Sequence, residues 1–258
     1  MVDFHSHILP NVDDGSKSVE ETFNLIKEAE NAGFDTIIST SHYIEQYYVV
    51  TNRERKIWID ALTSKFEEQN INMKLCLGSE IYITENIIEL LENENAATIN
   101  NTRYVLFELP LNLKPMYLDD VIFEILQYSL IPVLAHPERY TFIQQNPDEV
   151  YDLIQKGVLM QSNYGSFIGE YGERAKTTVR KLLKCNMIHF LGSDVHRQES
   201  IYPKIPTILN ELEKMVGEEK VNELTDENPR LALNNQKIEI PEPEHIKLSL
   251  KDRLFNKN

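Results

Sequence analysis

The chain has 258 residues, of which 41% are hydrophobic and 9% aromatic, as in an ordinary folded protein with a sizeable core. Its formal charge is −15, because 41 acidic residues outnumber 26 basic ones. This balance disfavours duplex nucleic acid as a partner, since phosphate backbones are bound by basic surfaces. No apolar run approaches the roughly 18 residues that a membrane-spanning helix needs, so no membrane insertion is expected.

The chain start and the two cysteines predict a cytoplasmic protein. The first residues, MVDFHSH, lack the basic region, the long apolar stretch and the cleavage site of a secretory signal. Cys76 and Cys185 each lie in an apolar stretch. That setting is typical of a buried free thiol in a reducing compartment, not of a disulfide.

Short apolar runs rich in β-branched residues alternate along the chain with longer amphipathic stretches. Seven runs are predicted to be strands, in the order MVDFH, FDTIIST, MKLCLG, RYVLFEL, IPVLA, VLMQSN and MIHFLGS. The first helix is predicted to begin at a capping box, formed by Ser18 and Glu21, and to end at Gly33. Further helices are predicted over about 54–69, 84–93, 117–130, 148–157, 170–185 and 205–216.

This alternation predicts an α/β protein with a parallel sheet, specifically a distorted (β/α)7 TIM-like barrel over residues 1–235. An open, doubly wound sheet is the alternative that the pattern leaves. From about residue 230 the pattern changes. The prolines and the polar ending of residues 236–258 predict a C-terminal strap or tail.

Histidines and carboxylates follow six of the seven predicted strands. In a parallel barrel those strand ends lie on one face, where barrel active sites are built. Residues two apart on a strand point the same way, so His5 and His7 form one chelating pair, and Asp194 and His196 form another. The complete set of predicted metal ligands is His5, His7, Asp14, His42, Glu80, Glu108, His136, Asp194 and His196.

Five imidazoles and four carboxylates without a thiolate favour Mn, Fe or Zn in a reactive site over a structural zinc site, which is usually rich in cysteine. With three or four ligands for each ion, nine groups are too many for one metal. Two or three ions that share a bridging carboxylate would use them all. Loss of one carboxylate should then empty more than one site.

The three acidic residues of the first strand and the turn after it are expected to have different roles. Asp14, and not Asp13, is predicted to be the ligand, because it lies within reach of the barrel mouth. Asp13 is interpreted as a residue in contact with solvent or in the turn. Asp3 shares a strand face with His5 and His7 by simple alternation. It is expected either to orient a histidine or to bond a neighbouring strand.

The sequence around three histidines indicates how each of them is placed. Pro137 is expected to hold His136 in an extended conformation and to leave its ring at the rim. His189, inside the apolar run MIHFLG, is interpreted as a structural histidine buried against a helix. His245 falls in the predicted tail.

The combination HSHILPNVDDG, TSH, GSE, FELP, AHPERY and GSDVH resembles the polymerase and histidinol phosphatase (PHP) superfamily of trinuclear metallohydrolases. Within it, VDDG and HPERY are most similar to the bacterial manganese-dependent protein-tyrosine phosphatases of capsular and exopolysaccharide loci. The motifs run from residue 3 to about residue 197, and six motifs in order are far more specific than HxH alone.

The resemblance implies a role for each matched residue. It assigns one ion to His5, His7 and Asp194, a second to Glu108 and His136 with Glu80 as the bridge, and a third to Asp14, His42 and His196. It favours two or three Mn ions, with Fe or Zn as alternatives. Arg139 matches an arginine that contacts the phosphoryl group in the family, although a salt bridge to Glu138 or another acid is the alternative.

The activity implied by the resemblance is hydrolysis of phosphotyrosine by a metal-bound hydroxide. The implied partner is a phosphotyrosine protein, in particular a bacterial tyrosine kinase that controls polysaccharide synthesis. Two departures from the family pattern affect substrate binding. Arg197 stands where relatives usually have asparagine, and the segment YIEQYYVVTNRER after His42 differs from the usual one.

Four other activities are alternatives to this one. A cysteine-based tyrosine phosphatase needs C-x5-R, but Tyr82 and Leu191 stand where the arginine would be, so a thiol nucleophile is excluded. A small-molecule phosphomonoesterase such as a histidinol-phosphate phosphatase stays open, whereas the acidic charge argues against a PHP exonuclease. A module that only binds an anion is disfavoured, because a degenerate site would have lost ligands.

Overall fold

Parallel strands alternate with helices through residues 1–246, the part of the chain that the computed structural model describes. The strands are β1 (Val2–Ser6), β2 (Thr36–Ser39), β3 (His42–Tyr43), β4 (Lys74–Leu77), β5 (Glu80–Tyr82), β6 (Tyr104–Glu108), β7 (Ile131–Ala135), β8 (Leu159–Asn163) and β9 (Phe190–Gly192). One sheet has the order β1-β2-β4 and the other β3-β5-β6-β7-β8-β9. Every paired neighbour is parallel.

All seven predicted helices are present, with ends shifted by up to three residues. The helices are α1 (Val19–Asn31), α2 (Asn52–Gln69), α3 (Ile87–Glu92), α4 (Leu118–Gln127), α5 (Thr141–Gln145), α6 (Glu149–Gln155), α7 (Tyr164–Ile168), α8 (Gly172–Lys184), α9 (Ile205–Val216), α10 (Glu218–Asn222) and α11 (Asn228–Leu233). Four short helices, α5, α7, α10 and α11, were not predicted. Each has only five or six residues, too few for a clear helical period.

The α/β class is confirmed, with a parallel sheet curled into a half-barrel, but a count of seven strands is not. The curl brings the chain after β9 against β1, where Asp194 N donates to His5 O at 2.8 Å and His7 N donates to Val195 O at 3.1 Å. At the other end β5, which continues β4, pairs with β6. The curl of the sheet therefore brings the chain after β9 back beside β1, whereas in an open, doubly wound sheet these two ends lie far apart.

Two predicted strands are each followed, after a break of the backbone pairing, by a second short strand that was not predicted, which accounts for the higher count within residues 1–246. FDTIIST becomes β2 and leads into β3, and MKLCLG becomes β4 and leads into β5. Both breaks occur at the same level, so β3 and β5 remain neighbours and His42 lies opposite Glu80 in their register. The breaks therefore bring two predicted ligands side by side.

The hydrophobic core has an outer part, between helices and sheet, and an inner part on the concave side of the curl. The inner part includes Phe4 and Phe190, whose rings stack with centroids 4.0 Å apart. The register of β1 on β2 shifts between Asp3 and Ser6, which indicates a β-bulge. As a result Phe4 and the next residue, His5, both contact the concave side, whereas strict alternation would separate them.

At the N-terminus of α1, only one of the two hydrogen bonds of the predicted capping box is formed. Ser18 Oγ accepts from Glu21 N at 3.1 Å, as predicted. The Glu21 carboxylate, however, accepts from Lys17 N at 2.7 Å instead of from Ser18 N. The helix ends as expected, because Gly33 adopts the left-handed conformation with φ +95°. A complete capping box is formed on α2 by Thr51 and Glu54.

His189 is buried just before β9, as predicted for a structural histidine. Its Nδ1 accepts from Met160 N at 3.0 Å, and Asn228 donates to its carbonyl oxygen. Burial, together with the positive charge of Lys220, lowers the pKa of His189 to about 3. The imidazole is therefore neutral in the folded protein at every pH near neutrality.

His189 is expected to make the fold less stable in mild acid. Below the ordinary pKa of about 6.5 the unfolded chain binds a proton at this histidine, and the folded chain does not. The free energy of unfolding is therefore unaffected by this group above pH 6.5 and decreases as the pH falls below it. We expect a loss of about 2 kcal/mol at pH 5 relative to pH 7, absent in His189→Gln. Urea unfolding of chelator-treated protein across this range measures it. Equal pH dependence in the variant and in a His245→Gln control would contradict this origin.

The predicted strap is described only as far as residue 246, and residues 247–258 lie outside the described residues. Residues 234–246 contain neither helix nor strand. They contact the body of the fold through Ile238, which is buried, and through His245, whose ring stacks on Tyr151. The division at residue 235 stays a prediction. In residues 1–246 no helix combines the length and the apolar character that crossing a bilayer requires.

Candidate metal centre

All nine predicted ligands meet at the carboxyl ends of the strands. Four of them, His5, His7, Glu80 and His136, are almost completely buried, and Asp194 is 6% exposed. The other four are half-buried around them: Asp14, His42, Glu108 and His196. The cluster therefore has a floor inside the curl of the sheet and a rim that solvent reaches.

Glu80 lies at the centre of the cluster. Its Oε2 atom is 3.2 Å from His5 Nε2, 3.3 Å from His7 Nε2 and 3.0 Å from His42 Nδ1. Its other oxygen, Oε1, is 2.8 Å from His136 Nε2. One carboxylate thus contacts four imidazoles that come from three different strand ends, those of β1, β3 and β7.

The ligand atoms fall into three groups compact enough to hold a metal ion. They are His7, Asp14, His42 and His196; His5, His7 and Glu80; and His42, Glu80 and Glu108. Asp194 Oδ1 borders the second group, 3.6 Å from His5 Nε2 and 3.3 Å from His7 Nε2. These groups differ from the implied assignment in two respects. His7 and His42 each belong to two of them, and His136 and Asp194 belong to none.

The chemistry of these donors fits divalent cations. Glu80 Oε2 and His42 Nδ1 are buried and have no hydrogen-bond partner of acceptable geometry, although they lie only 3.0 Å apart. His5 Nε2 and His7 Nε2 approach to 3.0 Å. Buried polar atoms left without hydrogen bonds are costly, and a cation bound among them would offset that cost.

Charge within the cluster favours a bound cation. Burial opposes the charged forms of Glu80 and His42, but their charged neighbours outweigh burial and shift each pKa toward the charged form. The histidines His5 and His42 hold the pKa of Glu80 well below its ordinary value. Glu80 in turn raises the pKa of His42 to about 9. Glu80 is therefore ionised at neutral pH, and the imidazoles around it lie in a negative field that attracts a proton or a metal ion.

Asp13 and Asp14 have separate environments. Asp14 is half exposed, with its Oδ1 3.4 Å from His196 Nε2, and its role as a ligand stays a prediction. Asp13 is buried, so the expectation of solvent contact was wrong, while its bond to Gly15 N is that of a turn. Its Oδ2 lies 2.7 Å from His7 Nδ1. The turn thus returns an acid to the ring of a histidine six residues before it, a contact that strand alternation does not reveal.

Asp13→Asn is expected to weaken metal binding by about ten- to a hundredfold, as is usual when a residue that orients a ligand histidine is lost. Asp13 Oδ2 accepts from His42 N at 2.8 Å as well as contacting His7. The amide of asparagine has a single oxygen and no charge, so it cannot keep the bonds at Oδ2 together with the bond from Gly15 N to Oδ1, and His7 loses its charged partner. Competition with a fluorescent chelator measures the affinity. Unchanged affinity beside a neutral Glu45→Gln control would show that Asp13 does not restrain these histidines.

His136 does not have the predicted extended backbone. Pro137 does follow the end of β7, but His136 adopts the left-handed conformation with φ +34° and ψ +57°. Its side chain is buried under the cluster instead of lying at the rim. Left-handed backbone at a residue other than glycine is strained, and Asp194 shares it with φ +52°. Such strain is concentrated at functional sites, where surrounding contacts hold it.

Asp3 takes no part in the cluster. Its carboxylate accepts from Ser193 N at 2.8 Å and from Tyr202 Oη at 2.8 Å. Of the two alternatives, the bond to a neighbouring strand is the one observed. The prediction that Asp3 shares a face with His5 and His7 was wrong, because the bulge in β1 intervenes.

Arg139 borders the cluster at Asp194. Its Nη1 donates to Asp194 Oδ2 at 2.9 Å, and its guanidinium lies over the ring of Tyr171, 4.4 Å from the centroid. Of the alternative pairings, the one with Glu138 is not observed, since Glu138 accepts from Asn163 N and from Ser166. The salt bridge to another acid is observed, at Asp194. Arg139 is partly exposed, with a side-chain exposure of 24%, so a ligand above the cluster can reach it.

Three residues beside the cluster were missed. Gln161 Oε1 lies 2.7 Å from His5 Nδ1, and Asn163 donates to Asp194 Oδ2 at 2.7 Å. Tyr171 Oη donates to the same carboxylate oxygen at 3.3 Å. Gln161 and Asn163 end the sixth predicted strand, two residues apart. The rule applied to the other strand ends would have found them had it included amides.

The two departures from the family pattern occupy the rim. Arg197 Nη1 donates to the carbonyl oxygens of Asp14 and Gly15, each at 2.7 Å, so it fastens the loop that carries Asp14. Arg55 comes from the segment after His42 and is buried. It donates to His42 O at 2.9 Å and to Ser79 Oγ.

The cysteines lie apart from these groups. Cys76 is buried in the inner part of the core, and neither Cys76 nor Cys185 forms a disulfide. The absence of a disulfide agrees with the prediction, whereas Cys185 is only half-buried and not buried as expected.

Fold and site together define an α/β protein with a curled parallel sheet and a candidate metal centre of histidines and carboxylates at the strand ends. A sequence profile described as "Capsular polysaccharide synthesis, CpsB/CapC" matches residues 1–234. The chain belongs to the CpsB/CapC family. This confirms the resemblance to the capsular branch of the PHP superfamily.

Several relatives are similar over nearly the whole chain. The tyrosine-protein phosphatase YwqE of Bacillus subtilis (strain 168) is 32% identical over 247 residues, which cover 96% of this chain and 97% of YwqE. The tyrosine-protein phosphatase CpsB of Streptococcus pneumoniae is 32% identical over 245 residues, which cover 92% of this chain and 100% of CpsB.

Solved structures agree with this placement. A chain from the crystal structures of YwqE and CpsB, described as unique metal-dependent tyrosine phosphatases, matches with a TM-score of 0.89 and 31% identity, over 96% of this chain and 100% of that one. Histidinol phosphate phosphatase from Lactococcus lactis, solved with zinc, L-histidinol and phosphate, matches with a TM-score of 0.56 and 15% identity. That match covers 84% of this chain and 95% of the phosphatase and shows a shared fold only.

Proposed function

We propose that this chain is a metal-dependent protein-tyrosine phosphatase, a hydrolase of phosphoric monoesters. The observation that carries the proposal is the convergence of four imidazoles on the buried Glu80, in a family whose members YwqE and CpsB are described as metal-dependent tyrosine phosphatases. A phosphate ester is a suitable substrate for such a cluster, because its negative oxygens are attracted to divalent cations.

The nine clustered groups are proposed to hold two or three divalent ions, with Mn favoured over Fe and Zn. Glu80 belongs to two of the three candidate groups, so its carboxylate could bridge neighbouring ions. His7 and His42 also belong to two groups, but each imidazole nitrogen has one lone pair and would bind a single ion. A donor set of imidazole and carboxylate suits these metals. Bound ions of this kind lower the pKa of coordinated water toward neutrality and thus supply the nucleophile.

Arg139 is proposed to hold the phosphoryl group. One of its nitrogens is engaged by Asp194, which orients the guanidinium and leaves its other donors for phosphoryl oxygens. Arginine is always charged and bonds such oxygens in a bidentate manner. The leaving group needs little protonation by the protein, because the phenol of tyrosine has a pKa of about 10, well below that of an aliphatic alcohol.

The proposed substrate is a phosphotyrosine protein, in particular a bacterial tyrosine kinase that regulates capsular or exopolysaccharide synthesis in the cytoplasm. The family description as capsular polysaccharide synthesis supports this partner.

A comparison of substrates tests the proposal. Metal content is measured by mass spectrometry, and turnover of a phosphotyrosine peptide, of histidinol phosphate and of single-stranded DNA is followed with and without a chelator. We expect fastest, chelator-sensitive hydrolysis of the phosphotyrosine peptide. Faster chelator-sensitive turnover of histidinol phosphate would instead identify a small-molecule phosphatase, and activity that survives complete removal of metal would overturn the metal dependence.

A further inference from the structure

The segment after β3 forms a tight turn that is held by its own backbone. Ile44 and Tyr48 form an antiparallel bridge in which each N–H donates to the other residue's carbonyl oxygen at 2.9 Å. Gln46, at the tip, has a φ of +70°, which closes the turn. The position of Tyr48 is therefore set by hydrogen bonds that do not depend on its side chain.

This turn places the ring of Tyr48 against the metal centre. The Tyr48 and His42 rings stack with centroids 5.9 Å apart and planes 13° from parallel. His42 belongs to two of the three candidate metal groups, so the Tyr48 ring borders the cluster. Tyr48 is half-buried, whereas its neighbour Tyr47 is 80% exposed.

We propose that Tyr48 is a specificity-determining residue whose ring contacts the aromatic ring of the substrate. The inference rests on the proposed phosphatase function and adds to it the reason for preferring an aryl ester. Arg139 meets the cluster at Asp194, and Tyr48 meets it at His42. A phosphoryl group held above the cluster by Arg139 thus has an aromatic surface beside it, on which the ring of its ester can stack.

The contribution of a stacked aromatic pair to binding affinity is large enough to be measured. Such pairs change affinity by about two- to tenfold beyond simple burial of area. An aliphatic ester has no ring to place there. Tyr48 should therefore separate aryl from alkyl phosphates, and should have little effect on the phosphoryl end of either.

The test measures binding of two unreactive probes, phenylphosphonate and methylphosphonate, to the full-length Mn-loaded protein by calorimetry. We expect the unchanged protein to prefer phenylphosphonate, and Tyr48→Leu to reduce that preference about two- to tenfold. Tyr48→Phe, which keeps the ring, should retain the preference. Tyr47→Leu is the matched control in the same turn and should also retain it.

Two results would overturn the inference. They are the absence of any phenyl preference in the unchanged protein, and equal weakening of both probes by Tyr48→Leu, which would mean that Tyr48 only supports His42. Metal content, measured on every variant, identifies that second case. If the proposed function is wrong, the protein will not hydrolyse phosphomonoesters. The difference in affinity between the two probes still tests the role of Tyr48 in that case.

Discussion

Glu80→Gln is expected to remove more than one metal ion from each chain and to lower kcat for a phosphotyrosine peptide by about a thousandfold or more. Glu80 belongs to two of the three candidate metal groups and contacts four imidazoles. Glutamine has the same shape but no charge, and one of its two terminal atoms is a donor. The buried histidines would then lose their common counter-charge.

Metal content by mass spectrometry and single-turnover kinetics measure this result together. Glu89→Gln is a matched control, because it makes the same change on the exposed face of α3. Loss of exactly one ion, with the remaining ions unaffected, would show that Glu80 does not bridge. Retention of full activity would remove it from the site.

His136→Ala is expected to abolish activity with little loss of folding stability. The imidazole is buried, lies 2.8 Å from Glu80 Oε1 and is 4.0 Å from Glu108 Oε2, so its removal takes away a nitrogen donor beside both carboxylates. Folding depends on it much less, since the concave part of the core does not include it. The decline in kcat is again about a thousandfold, which corresponds to roughly 4 kcal/mol of transition-state stabilisation.

The left-handed backbone of His136 calls for a second variant. His136→Asn suits φ +34° better than alanine does and therefore separates loss of the ligand from backbone strain. Both variants should be inactive and should melt within a few degrees of the unchanged protein when all are free of metal. Full activity in either variant would exclude His136 from the site.

The sequence was sufficient to predict the helices and the convergence of the ligands. Helical periodicity over ten or more residues is a strong local signal, and the carboxyl ends of parallel strands meet on one face whatever the details of the barrel. Each of the nine predicted residues could thus be found from its place after a strand. The short helices α5, α7, α10 and α11 escaped because five or six residues contain too little of a period.

Local rules failed where the backbone departs from regular geometry. Strict alternation put Asp3 on the face of His5, but the bulge in β1 moves the two apart. Proline usually makes the preceding residue extended, yet His136 is left-handed, held by its contact with Glu80 and by the bond from Arg139 N to its carbonyl oxygen. In both places tertiary contacts outweigh a modest local preference.

By itself, the sequence determined the α/β class, the order of the main elements and which histidines and carboxylates stand at strand ends, because these follow from short-range periodicity and turn chemistry. Only the tertiary structure decided which ligands share a group, that Asp13 hydrogen-bonds to Nδ1 of His7, and that the Tyr48 ring stacks on that of His42. The physical reason is that these contacts join residues brought together by strand breaks, a bulge and a loop. Their positions depend on packing of the whole sheet and not on any local pattern.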